Sequence, residues 1–392
     1  MEVDPGATLH YLDNASTTFP KPPQVMDAMA RFWATAAVSP GRSSFDLALV
    51  AEAGLYGCRK QVSELFNGPG PERVVFGYNA TDALNLVIFG RLKHGGHVVA
   101  TRLEHNSVLR PIAHCVDDFG ARATLVPFDG RGFVDPADIR EAITKDTRLV
   151  VVSHASNVLG TVQAVSEIGA LCREAGVPFC LDAAQSAGVV PIDMKQMNVD
   201  VVAFTGHKSL LGPTGIGGLC VGEGVDLPHT RAGGTGVQSV ARRHLDDYPY
   251  RLEYGTPNVM GVMGLSRGLS LIAEQGGVDA VCAREMKLAR VLWKALRETD
   301  GVTVYCADSL ERRTPVFAFN FEGMDSSQAG ARLDVDFDVA CRTGLHCAPL
   351  VHEALGTAPD GSLRFSIGST TTLADVEAGA RAVKALAAEL LR

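Results

Sequence analysis

Ala203-Phe204-Thr205-Gly206-His207-Lys208-Ser209-Leu210-Leu211-Gly212-Pro213 is the stretch on which the fold of this chain turns. It continues an apolar strand pattern, Val199 to Phe204, and ends in a Gly- and Pro-rich turn, which sets Lys208 at the carboxyl end of a strand. A lysine there loses hydration, its pKa falls, and its amine becomes suited to Schiff-base chemistry. Taken alone, a partly exposed lysine at a strand end fits the same letters equally well, so the flanking sequence decides.

Upstream, from about Arg73 to Gly222, short β-branched runs alternate with helical patterns. Val74-Val75-Phe76, Val98-Val99-Ala100, Leu149-Val150-Val151-Val152, Val177 to Leu181 and Val201 to Phe204 read as strands, with a helix at Ser166 to Ala175 among the connections. Continuous apolar strands joined by crossovers predict an α/β fold with a mainly parallel sheet covered on both faces. Polar residues and glycines gather just after these strands, where open α/β sheets bind ligands. Beyond Gly255-Thr256-Pro257-Asn258 the texture changes: long helices at Val259 to Gln275 and Val278 to Glu298, strands near Val302 to Tyr305, Pro315 to Phe321 and Ser362 to Ile367, a helix near Ser326 to Leu333 and a last helix from Leu373. The expected organisation is an N-terminal segment, 1–20, packing with the small domain, a large domain over 21–258, and a smaller α+β C-terminal domain over 259–392.

The 392 residues suit two packed domains, and no apolar run approaches the length of a membrane span. Met1-Glu2-Val3-Asp4-Pro5 lacks the basic and apolar regions of a signal peptide. A net charge of −8 without a basic run argues against nucleic acid and anionic membranes as partners. Nine scattered cysteines, none in C-x-x-C, read as reduced thiols of a cytoplasmic protein.

Three strand-end motifs supply chemistry that complements Lys208. Asp182 ends the strand at Val177 to Leu181; a carboxylate there either holds a pyridinium nitrogen protonated or caps the next segment. Gly77-Tyr78-Asn79-Ala80-Thr81-Asp82-Ala83-Leu84 opens a helix, whose free N–H groups suit a phosphate. Glu104-His105-Asn106-Ser107 places an imidazole that either stacks on an aromatic ring or is an ordinary loop histidine.

These motifs, with Tyr11-Leu12-Asp13-Asn14-Ala15, Ser156-Asn157-Val158-Leu159-Gly160, Asp182-Ala183-Ala184-Gln185-Ser186, Gly255-Thr256-Pro257-Asn258 and Arg342-Thr343-Gly344-Leu345-His346-Cys347, closely resemble the class V aminotransferase family of pyridoxal-phosphate enzymes of fold type I. Within it the chain is similar to cysteine desulfurases of the group II kind. Those tend to carry a second histidine where this chain has Leu345, and Ala348 to Gly356 resembles a less characterised desulfurase-like branch.

The resemblance implies that Lys208 bonds the cofactor aldehyde and then moves a proton, His105 stacks on the ring, Asp182 pairs with its nitrogen and Gln185 contacts its phenolic oxygen. Ala80, Thr81, Thr205 and His207 would hold the phosphate, and Thr256 would reach the phosphate of the opposite subunit of a homodimer. Asn157 would lie near the substrate amine and Arg364 would clamp the substrate carboxylate, a task suited to a planar guanidinium. Asn14 and Arg342 would line the same pocket. Cys347 would be the thiolate that takes sulfur from L-cysteine as a persulfide, with His346 and Arg342 supplying positive potential. A protein sulfur acceptor is then expected; a selenocysteine or cysteine-conjugate lyase and a turnover-free sulfur-system scaffold are the rival functions. Cys341, His346, Cys347 and His352 lack zinc spacing, so no metal is expected. Gly212 to Gly218 lacks the order of a nucleotide loop and is expected to form tight turns beside the cofactor.

Overall fold

A computed structural model describes residues 9–40 and 45–392. After β1 (His10–Tyr11) come β2 (Val74–Gly77), β3 (Gly96–Thr101), β4 (Ala121–Val126), β5 (Thr147–Ser153), β6 (Phe179–Asp182), β7 (Val201–Thr205) and β8 (Gly217–Val221). The last seven form one sheet in the order β2-β8-β7-β6-β5-β3-β4. Neighbours from β7 across to β4 are parallel, and β8 runs antiparallel to both β2 and β7.

The apolar runs of β5 and β7 are continuous because alternate residues enter two different cores. Val150, Val152, Val202 and Phe204 pack on one face with Val62, Val262 and Leu265. Leu149, Val151, Val201 and Ala203 pack on the other with Leu84, Ile88 and Ile112.

Two strands escape a search for apolar runs. β4 is an edge strand whose middle residues face solvent, so only its ends are buried. β8 begins with two glycines, and a Cβ on Gly218 would stand 1.9 Å from the Val75 carbonyl oxygen. Gly217 and Gly218 are therefore strand residues at a close backbone approach, correcting the expectation that the whole Gly212–Gly218 run is turn.

Strands β9 (Val302–Val304), β10 (Val316–Phe321), β12 (Arg342–Gly344) and β13 (Ser362–Ser366) form an antiparallel sheet in the order β12-β13-β10-β9. Its core joins Phe317, Phe319 and Phe365 to Leu292, Leu333 and Val383 of the helices Val278–Arg297, Ser326–Phe337 and Leu373–Leu390. β1 pairs in parallel with β11 (Val339–Ala340), and Asp13 bridges to Ser366. In the register of β12 on β13, Arg342 lies opposite Arg364. These last pairings bring two guanidiniums and the residues after Asp13 to one place.

Candidate active site

A cavity of about 220 Å³ opens at the carboxyl ends of β5, β6 and β7. Ala80, Thr81, His105, Asn157, Asp182, Gln185, Thr205, His207, Lys208, Arg342 and Arg364 all line it. Strand ends deliver Ser153, Asp182 and Thr205, and helix starts deliver Ala80 and Ser107.

Lys208 is half-buried in the cavity wall, and loss of hydration pushes its amine down to about 8; Asp182 opposes the shift while Arg364 and Arg342 add to it. Asp182 is itself buried, which raises its pKa against the Ala184 N–H donated to Oδ1 at 2.9 Å and against the charge of Lys208. His105 is pushed down to about 4 by burial and by the cations Lys208, Arg342 and Arg364, so the ring is neutral. Its Nδ1 accepts the Ser107 N–H at 3.0 Å, capping the helix Asn106–Phe119 and assigning the ring proton to Nε2. Glu104 fixes this corner. It accepts bonds from Thr101 Oγ1 and from the Ser153 amide and hydroxyl, tying the turn after β3 to the end of β5. Burial nonetheless raises it to about 7.

Next to His105, Thr81 Oγ1 meets Ser107 Oγ at 2.7 Å beside the N-terminus of the helix Ala80–Leu92. The buried Thr205 Oγ1 has no hydrogen-bond partner among the described residues. His207 Nδ1 lies 3.0 Å from Thr17 Oγ1, and burial with the charges of Lys208 and Lys21 holds the ring down to about 4. A buried carboxylate, a lysine with a depressed pKa, a neutral imidazole, an orphaned threonine hydroxyl at a strand end and a helix N-terminus are the donor set that pyridoxal phosphate requires. The residues present therefore fit that cofactor.

The remaining wall is built by arginines. Arg364, 1 % exposed, donates from Nη2 to Asp13 Oδ1 at 2.6 Å and to Ser16 Oγ at 2.9 Å, and from Nη1 to the Asn157 carbonyl at 3.0 Å. Arg342 donates to Ser16 Oγ at 3.1 Å and lies 3.4 Å from Cys347 Sγ. Asn157 in turn donates to the His346 carbonyl at 2.6 Å, and the Asn106 N–H to that of Cys347 at 2.7 Å. His346 and Cys347 both have left-handed backbones, φ 48° and 59°. The two clamped carbonyls hold that uncommon conformation.

Cys347 adjoins the cavity through Arg342 without lining it, and two expectations need correction. Asn14 turns away: its amide donates to the Ser366 carbonyl and to Thr371 Oγ1, both at 3.2 Å. His346 supplies no positive charge, because burial and the nearby Arg364 hold it well below the usual histidine range; its Nε2 faces Ser362 Oγ at 3.2 Å. Thr256 lies outside this cavity, lining a second one with Asn258 and Arg231. Among the described residues no three His, Cys, Asp or Glu side chains converge as a metal site. Sequence reasoning missed Ser16, Ser107 and Ser153 in the wall. The hydroxyl run Ser16-Thr17-Thr18 was the available signal: Thr17 and Thr18 donate to the carbonyls of His207 and Lys208.

Known proteins resemble this chain over most of its length. The family model for class-V aminotransferases matches residues 10–378. A probable cysteine desulfurase of Methanothermobacter thermautotrophicus is 33% identical over 374 residues, spanning 94% of this chain and 92% of the relative. A cysteine desulfurase of Enterobacter sp. strain 638 is 32% identical over 88% of this chain and 85% of its own. Among solved structures, the apo cysteine desulfurase of Thermococcus onnurineus NA1 superposes with a TM-score of 0.90 at 32% identity, covering 97% of this chain and 95% of that one. The Escherichia coli cysteine desulfurase CsdA, in an S-sulfonic acid form, gives 0.86 at 31% identity, with coverage of 97% and 95%. With that match over nearly its whole length and a sheet whose strand ends carry the family's motifs, the chain belongs to the class-V aminotransferases.

Proposed function

We propose that this chain is a pyridoxal-phosphate-dependent cysteine desulfurase, converting L-cysteine to L-alanine and keeping the sulfur as a persulfide on Cys347. The observation that carries this reading is the position of Arg342, which lines the Lys208 cavity and also touches the Cys347 thiol at 3.4 Å. One guanidinium thus joins the site of amine chemistry to the sulfur nucleophile.

When bound, the cofactor supplies an aldehyde for amine capture and a ring that withdraws electrons from the captured carbon. Lys208 would offer the amine that holds the aldehyde and would afterwards carry the substrate's Cα proton. Asp182 would keep the ring nitrogen protonated, Gln185 would contact the phenolic oxygen and the neutral His105 would stack on the ring. Ala80, Thr81, Thr205 and His207 would hold the phosphate, joined by Thr256 from the second copy in a homodimer. Asn157 stands by the substrate amine and Arg364 by its carboxylate. The Cys347 thiolate attacks the substrate sulfur; an S–S bond forms as the Cβ–S bond breaks, the bonding pair stays with carbon, and a proton delivered there yields alanine. A thiol of an acceptor protein then takes the terminal sulfur. Nine unpaired cysteines suit a reducing cytoplasm.

Product analysis with L-cysteine tests the whole reading. Alanine in step with sulfide released by reductant, and a gain of about 32 Da on the Cys347 peptide, one persulfide sulfur, are expected. Both are lost in Cys347→Ser. Pyruvate as product, or undiminished sulfur release by Cys347→Ser, would favour a lyase acting on selenocysteine or a cysteine conjugate. Failure to bind pyridoxal phosphate would favour a scaffold.

A further inference from the structure

We infer that Ser16 is a substrate-binding residue, its hydroxyl donating to the carboxylate of the incoming amino acid; this rests on the function proposed above. A serine hydroxyl has one proton and two acceptor lone pairs. Here both lone pairs are engaged, one by Arg364 Nη2 at 2.9 Å and one by Arg342 Nη1 at 3.1 Å. Neither guanidinium can accept a proton, so the Ser16 O–H cannot turn toward either of them. It has no acceptor among the described residues, and the side chain lines the Lys208 cavity, so its proton points to a ligand there.

The donor count at Arg364 makes this hydroxyl necessary. Nη2 carries two hydrogens, and both are engaged, by Asp13 Oδ1 and by Ser16 Oγ. One hydrogen of Nη1 goes to the Asn157 carbonyl. Arg364 therefore keeps only one Nη1 hydrogen and the buried, unpartnered Nε hydrogen for a ligand. These lie on different edges of the guanidinium, so a two-pronged grip on one carboxylate is closed while Asp13 stays in place. A carboxylate entering beside Arg364 meets one arginine hydrogen, and Ser16 offers the next donor. Its two cationic partners polarise the hydroxyl and strengthen that bond.

The test uses protein loaded with pyridoxal phosphate and follows cofactor absorbance during titration with L-alanine and with ethylamine, which is L-alanine without its carboxylate. Ser16→Ala is expected to weaken L-alanine about tenfold, the scale of one hydrogen bond to a charged group, and to leave ethylamine within about twofold. Ser16→Thr, which keeps a hydroxyl, restores most of the loss. Arg364 retains Asp13 and Asn157 in the alanine variant, so its own place is kept. An equal loss for both amines would reduce Ser16 to a structural role and overturn the inference. So would a wild-type preference for L-alanine over ethylamine that survives in Ser16→Ala. A wild-type protein showing no such preference would overturn the functional reading itself, and Ser16 with it.

Discussion

The depressed pKa of Lys208 is open to direct measurement. Burial takes the amine from its ordinary 10.5 to about 8. At pH 7 about a tenth of the amine is then neutral, against roughly 3 in 10,000 for an unperturbed lysine, a gain near 300-fold in the reactive form. Capture of pyridoxal, which lacks the phosphate, isolates the lysine from the anion site. Its rate by apo-protein, followed by absorbance, should rise with pH and level off above an inflection near 8. The neighbours fix the sign of a second test. Asp182 raises the lysine's pKa, so Asp182→Asn moves the inflection downward; Arg342 lowers it, so Arg342→Met moves it upward. A wild-type inflection near 10.5, or an upward shift in Asp182→Asn, would refute the assignment of burial as cause and Asp182 as counterweight.

Two further perturbations probe the frame around this lysine. Arg342→Met removes the guanidinium donor 3.4 Å from Cys347 Sγ, and alkylation of that thiol by iodoacetamide at neutral pH should slow; an unchanged rate would show that this contact does not govern the thiol's reactivity. Gly160→Ala places a Cβ 2.6 Å from the Val316 carbonyl oxygen and 2.9 Å from that of Thr314, at a φ of 73°. The left-handed backbone and the displaced carbonyls together should cost about 3 kcal/mol in guanidinium unfolding, and a loss below about 1 kcal/mol would mean that the loop carrying Asn157 adjusts freely.

The parallel sheet was legible because its central strands are buried on both faces, which writes them as unbroken apolar runs. Where that condition fails, the signal fails with it. β4 has solvent on its outer edge, and β8 exchanges side chains for glycines so that its backbone can approach Val75 and Asn79. The strand-end residues Asp182, Thr205 and Lys208 were legible for a related reason. Each is local to a strand whose end could be located, and the topology then gathers them without further information.

The arginine wall is non-local, so Arg342 and Arg364 were named only through the family resemblance, and their bonds to Asp13 and Ser16 stayed hidden. Arg342 and Arg364 are neighbours only through the register of β12 on β13, and Asp13 and Ser16 join them only because the chain after β1 follows that sheet. Adjacency in sequence was misleading in the same place. His346 precedes Cys347 and looks like its cation, yet the left-handed turn at both residues sends the imidazole inward beside Ser362, where burial keeps it neutral. Of the two residues expected to supply positive potential, only Arg342, five residues earlier, brings a cation to the thiol. The same guanidinium holds Ser16 at the mouth of the lysine's cavity. One side chain thus contacts both the Ser16 hydroxyl in the cavity wall and the thiol beside that cavity.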